Sequence, residues 1–363
     1  MVLRHFFLGL LIAAASLAAA QDAPVTVVDV SLERRDALAE EALLDVAVVA
    51  FDVGLEAGAQ PQAGVYPRVR TVEATFLPVT LRGVLVDSNA WGVVRVVPEP
   101  SALAEVRVET RLISSTGLEL LLQVRVSDAT GATWFERQYQ ALSEASDYPV
   151  AAGADPFMNL YRQVANDVLA HRESLQAGQL RDIRRVAFLR YAGSLSADAF
   201  TGYLVENDGI YSVQRLPAEG DEMIGRVERI RNQEYLFVDN VDEQYTELQR
   251  EMAPAYNLWR QHDREQTLHR AEYQERVAER DRQGRRGSFS AMQQVYNQYK
   301  LSKIQEQDIR ELAQGFDNET APTVLETSGR IFRLTGTLDS QYSEWRDILR
   351  QIFALETGLP PAP

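Results

Sequence analysis

Part-way along this chain the hydrophobic period changes, and few folds accommodate such a change. Up to about residue 175, apolar residues come in short runs rich in Val and Leu or alternate with polar ones, the spacing of strands. Beyond residue 220 they return every three or four positions. From Val238 one seam holds Val238, Tyr245, Met252, Trp259 and Tyr273, and a second holds Val241, Leu248 and Ala255. The switch predicts an α+β protein: an amino-terminal α/β domain with an antiparallel meander, then a mainly helical region. No cysteine occurs in the 363 residues, so both parts rest on apolar cores rather than on disulfides or thiolate metal sites.

The first twenty residues are built differently. Arg4 and His5 precede an apolar run over residues 6–17, and Ala18, Ala19 and Ala20 precede Gln21. That is the pattern of a secretory signal cleaved after Ala20. The run is shorter than the roughly twenty apolar residues a membrane span needs. The mature chain is therefore expected in a bacterial periplasm and not spanning the membrane. A net charge of −15 repels nucleic acid and anionic headgroups, which leaves envelope proteins, a second copy of the chain among them, as the expected partners.

After the leader, residues 21–177 read as the α/β domain. Residues 43–53 (LLDVAVVAFDV) form a buried strand, and Tyr66-Pro67 opens a helix that Pro78 kinks or breaks. Strands follow at 91–97, 104–112, 118–126 and 133–139, the last three a meander across two turns. Asp155-Pro156 starts a helix. Residues 178–220 read as a small β/α segment, joined at 176–179. Within it lie a strand at 185–191 (RVAFLRY), a short helix at 197–204 and a hairpin turn at Asp208-Gly209. Residues 221–317 read as a long antiparallel helical hairpin, an arm projecting from the body. Its seam degrades from Gln261 into charged residues, as in a solvated helix held by opposite-charge pairs. Residues 318–358 form a terminal β-hairpin plus helix, and 359–363 a disordered tail.

The run 46–51 (VAVVAF), the run 91–98 (WGVVRVVP), and the meander over 104–139 with the helix after it resemble one group of periplasmic α/β domains. The group comprises the TolB amino-terminal domain, the curli secretion channel subunit and the auxiliary proteins of some ABC-type transporters. The likeness covers about 130 residues, 43–175, as a pattern of elements rather than a signature motif. It implies an assembly or adaptor role in the envelope and no catalysis. Residues 329–336 (GRIFRLTG) are similar to the BON module of envelope proteins.

Three groupings bear on chemistry. His262, Glu265 and His269 share a helical face, yet the histidines are two turns apart, about 10.5 Å along the axis, too far for one zinc. Asp239, Asp242 and Glu243 lack the glycine turn and alternating oxygens of a calcium loop and read as a solvated face. No G-x-S-x-G elbow, Walker loop or G-x-G-x-x-G occurs, so neither a catalytic residue nor a cofactor or metal is expected. The aromatic line of Tyr235, Phe237, Tyr245, Tyr256 and Trp259 suits a protein interface, because tyrosine and tryptophan combine area with a polar handle. Interface residues are accordingly expected at Tyr245, Tyr256 and Trp259, with Arg276 and Gln283 farther along the arm.

The chain thus reads as a non-enzymatic periplasmic adaptor or assembly factor acting through the arm and a sheet face. The alternative is a ligand- or lipid-binding accessory subunit of an envelope transporter, which an apolar pocket in the first domain would favour. A cleft lined with carboxylates would point instead to a hydrolase.

Overall fold

The computed structural model describes residues 23–36, 38–55, 65–282, 323–327, 330–334 and 337–360. The fold is α+β. Its centre is a six-stranded mixed sheet built from β1 (Val25–Thr26), β2 (Val46–Val49), β3 (Val94–Val97), β4 (Val106–Ser115), β5 (Glu119–Asp128) and β6 (Thr133–Leu142). The strand order is β1-β6-β5-β4-β2-β3. β2 runs parallel to both β3 and β4, β4 to β6 form the antiparallel meander, and β1 pairs parallel with β6.

Alternation along β2 explains why helices lie on both sides. Val46 and Val48 point into one core cluster, and Ala47 and Val49 into the other. The first cluster is covered by α1 (Pro67–Asp87), which runs through Pro78 without a break, and by α2 (Met158–Ser174). The second is filled by α3 (Ala177–Leu195), α4 (Glu222–Arg282) and α5 (Leu338–Thr357). Over the meander the second face is polar, carrying Arg107, Glu109, Arg111, Gln123 and Arg125. Small two-stranded sheets form from β7 (Leu204–Asn207) with β8 (Ile210–Val213), and from β9 (Thr323–Thr327) with β10 (Arg330–Leu334).

Four expectations need correction. Residues 185–191 are helical, not a strand. Buried Leu180, Ile183, Ala187, Tyr191 and Leu195 fall at spacings of three and four, and a capping box of Gln176 and Gln179 starts the helix. The same box occupies the stretch read as an interdomain joint, two residues after α2 ends. Residues 197–203 are turns, not a short helix.

The fourth concerns the arm. α4 is one helix of 61 residues running through Pro254, and its buried stripe does not stop at Gln261. Tyr256, Trp259, Arg260, Asp263 and Gln266 are all buried, at the spacing of one helical face. The stripe turns polar because the surfaces it meets are polar, so this stretch packs on the body. The return helix proposed for the arm, the leader and Gln283 lie outside the described residues. Among those residues no helix is long and apolar enough to cross a membrane.

If α4 is a core element, Phe237→Ala must cost what a core truncation costs. Phe237 is fully buried and stacks on Tyr342 and Trp345 of α5, with centroids 5.9 and 6.0 Å apart. Denaturant unfolding is expected to show a loss of about 3–5 kcal/mol. A change below about 0.5 kcal/mol, as at an exposed site, would contradict the packing.

Candidate functional site

A cleft of about 670 Å³ opens where the β5–β6 turn, the end of α2, α3 and the β7–β8 hairpin meet. Local sequence builds each wall. Asp208 and Gly209 take φ values of 51° and 80°, the left-handed pair that a two-residue hairpin turn requires. This hairpin is clasped to the β5–β6 turn. Tyr211 N–H donates to Thr130 O at 2.7 Å, and Gly131 sits so close that a Cβ there would lie 2.1 Å from Gly209 O. Arg190 of α3 holds both pieces, with its guanidinium 4.3 Å from the Tyr211 ring centroid and Nη1 donating to Ala129 O at 2.7 Å.

Trp134 and His171, Ile183 and Val186 of α3, and Ile210 and Tyr211 of β8 give the cleft its apolar and aromatic lining. Trp134 is held on two sides. Its Nε1–H donates to Asp128 Oδ2 at 2.7 Å, and its ring stacks on His171 with centroids 4.8 Å apart and planes 21° apart. Asp128 Oδ1 accepts the Thr130 N–H at 2.8 Å and the Thr130 hydroxyl, so this carboxylate is fully engaged in shaping the turn. Burial lowers the His171 pKa against the pull of Asp128, which keeps its imidazole neutral at pH 7. Such a lining has the shape and chemistry to accommodate an apolar or aromatic group, and the cleft volume falls in the range of roughly 300–1,000 Å³ typical of ligand pockets.

The residues expected to form an interface lie elsewhere. Tyr245, Tyr256 and Trp259 are at most 3% exposed and belong to the two cores, so they present no surface to a partner. Their area is spent inside the molecule: Tyr256 packs on Phe76, and Trp259 on Tyr66 and Tyr256. Arg276 is exposed and pairs with Glu272 at 3.7 Å. Of the three carboxylates read as a solvated face, Asp239 and Glu243 are exposed, whereas Asp242 is buried and anchors the helix. Asp242 accepts the Val96 N–H at 2.7 Å and meets Arg82 at 2.7 Å, while Asp239 meets Arg95 at 2.5 Å. Among the described residues no group of three or more His, Asp or Glu side chains is placed to hold a metal ion.

A second cluster of titratable groups lies under α4, fully enclosed. Glu73 accepts from the Ser115 hydroxyl at 2.5 Å and the Tyr256 hydroxyl at 2.7 Å. Arg260 pairs with Asp155 at 2.8 Å, and Asp263 accepts the Gly117 N–H at 2.9 Å. Gly117 is required here, since a Cβ would lie 1.8 Å from Arg260 O. These groups seat α4 on the β4–β5 turn. Burial raises the Glu73 pKa and pushes Asp263 up to about 6, so the folded protein favours a protonated Asp263. Its contribution to stability is full below pH 4 and is lost as pH rises through about 6. The stability of Asp263→Asn, relative to the parent, is expected to improve across that window by up to about 3 kcal/mol. Parallel stability–pH curves for the two proteins would contradict the assignment.

No family model matches this chain, and neither a curated protein nor a solved structure matches it, so the functional reading rests on geometry.

Proposed function

We propose that this chain is a non-enzymatic adaptor or assembly factor of the bacterial cell envelope, and that it seats part of a partner protein in the cleft between the β7–β8 hairpin and Trp134. The observation that carries the reading is the cleft itself: an open groove with an apolar and aromatic lining between a clasped pair of hairpin turns and two helices. The envelope assignment draws its support from the leader pattern over residues 1–20, and the acidic balance of the chain argues against nucleic acid as the partner. The pocket-sized volume also favours a second reading, an accessory subunit that holds a small apolar ligand in the same place.

In-cell photocrosslinking separates the two. With the probe at Gln179 or Ser212, which both line the cleft, a dominant adduct with one envelope protein is expected. The adduct should fall at least tenfold in Ile210→Arg, which fills the cleft from a residue already 44% exposed. An adduct insensitive to Ile210→Arg, or no adduct from a folded and exported protein, would overturn the adaptor reading. A small molecule co-purifying with the parent and not with Ile210→Arg would favour the accessory subunit.

A further inference from the structure

Backbone hydrogen bonding along β8 has a free side. Gln214 N–H donates to Tyr203 O at 2.8 Å, and by the alternation of an antiparallel ladder Ser212 and Ile210 face β7 in the same way. Tyr211 and Val213 turn their backbone groups in the opposite direction. Tyr211 N–H reaches Thr130 O, so that side faces the β5–β6 turn. The Tyr211 carbonyl and both backbone groups of Val213 have no backbone partner among the described residues. Tyr211, Val213 and Thr130 all line the cleft. One wall is therefore an edge strand with open hydrogen-bonding groups, the feature to which extended peptides add.

Charge narrows the occupant. The lining carries Asp128 and Asp182 and, among the described residues, neither lysine nor arginine. Asp128 is engaged by Trp134 and Thr130, whereas Asp182 is 63% exposed and meets only Arg185, at 3.7 Å. A nucleotide, a sugar phosphate or an anionic lipid would meet two carboxylates in the lining, and the nearby Arg185 guanidinium is already turned to Asp182. A purely apolar molecule would leave the strand edge unpaired. Resting on the function proposed above, we infer that the cleft binds an extended peptide segment that adds as a strand to the free side of β8. Its apolar side chains lie against Ile210, which is 44% exposed, and the half-buried Leu175, and a lysine or arginine reaches Asp182.

The test is a selection from a displayed library of ten-residue peptides on the purified full chain, followed by fluorescence anisotropy of a selected peptide. Selected sequences should alternate apolar residues and be enriched in lysine or arginine at one position. Val213→Pro removes the N–H on the free side, and Val213→Ala, which keeps that N–H but loses the same lining side chain, is its control; circular dichroism and the amide spectrum of the hairpin check that the β7 ladder survives in both. Val213→Pro should weaken binding about tenfold relative to Val213→Ala, the share of one hydrogen bond. Asp182→Asn should weaken binding several-fold and flatten its salt dependence. A peptide N-methylated at alternate residues should not bind.

Equal affinity in Val213→Pro and Val213→Ala, full binding of the N-methylated peptide, or selected sequences without basic enrichment would overturn the inference. If no selected peptide is sensitive to Ile210→Arg while the in-cell adduct is, the inference falls and the function stands. If neither is sensitive, both fall.

Discussion

A single carboxylate contact decides how the sheet is closed. β3 is an edge strand, and its outward N–H groups would be left bare against a helix that offered only apolar side chains. Asp242 accepts the Val96 N–H and binds Arg82, and Asp239, one turn back on the same helix, binds Arg95. With the Val96 N–H satisfied, Phe237, Val238 and Val241 can lie over Ala47, Val49 and Val96. The second core exists because α4 lies there, and α5 packs on α4 in turn. Remove that seating and the terminal helix loses its floor.

The far end of α4 is fixed by a different currency of contact. Arg260 and Asp263 are fully enclosed, and replacing such groups by apolar ones is often neutral or stabilising. Their value lies in position: Arg260 answers Asp155, and Asp263 answers the Gly117 N–H, so one register of the helix satisfies both. A helix of 61 residues sliding by one turn would otherwise keep most of its apolar contacts.

Much of this was legible in the chain. Period-2 alternation located β4, β5 and β6, and the Asp208-Gly209 pair located the β7–β8 turn. The long helix followed from spacings of three and seven. The failures share a cause. Apolar composition alone cannot separate a buried helix from a strand, so the run at 185–191 reads as a strand in sequence although its buried positions fall at spacings of three and four in the fold. Likewise a helix stripe made of Arg260, Asp263 and Gln266 looks solvated when its polar partners, at Asp155 and Gly117, are more than a hundred residues away. The cleft was invisible for the same reason. Trp134, His171 and Tyr211 sat in three elements whose meeting depends on α3 being a helix, and on Gly131 fitting beneath Gly209.

Strand edges are treated differently: β3 is covered by α4, and β6 is partly covered by the two-residue β1, while the outer side of β8 keeps open backbone groups beside the cleft. That asymmetry is the core of the account: the aromatic residues of the long helix hold the fold, and the proposed recognition surface is the unprotected strand. Hydrogen–deuterium exchange across the whole protein tests this most directly. Amides of α4 over residues 227–266 should exchange as slowly as those of β5, with the Val213 amide fast among slow neighbours in β8. Fast exchange along α4, or a protected Val213 amide in the protein without a partner, would contradict it.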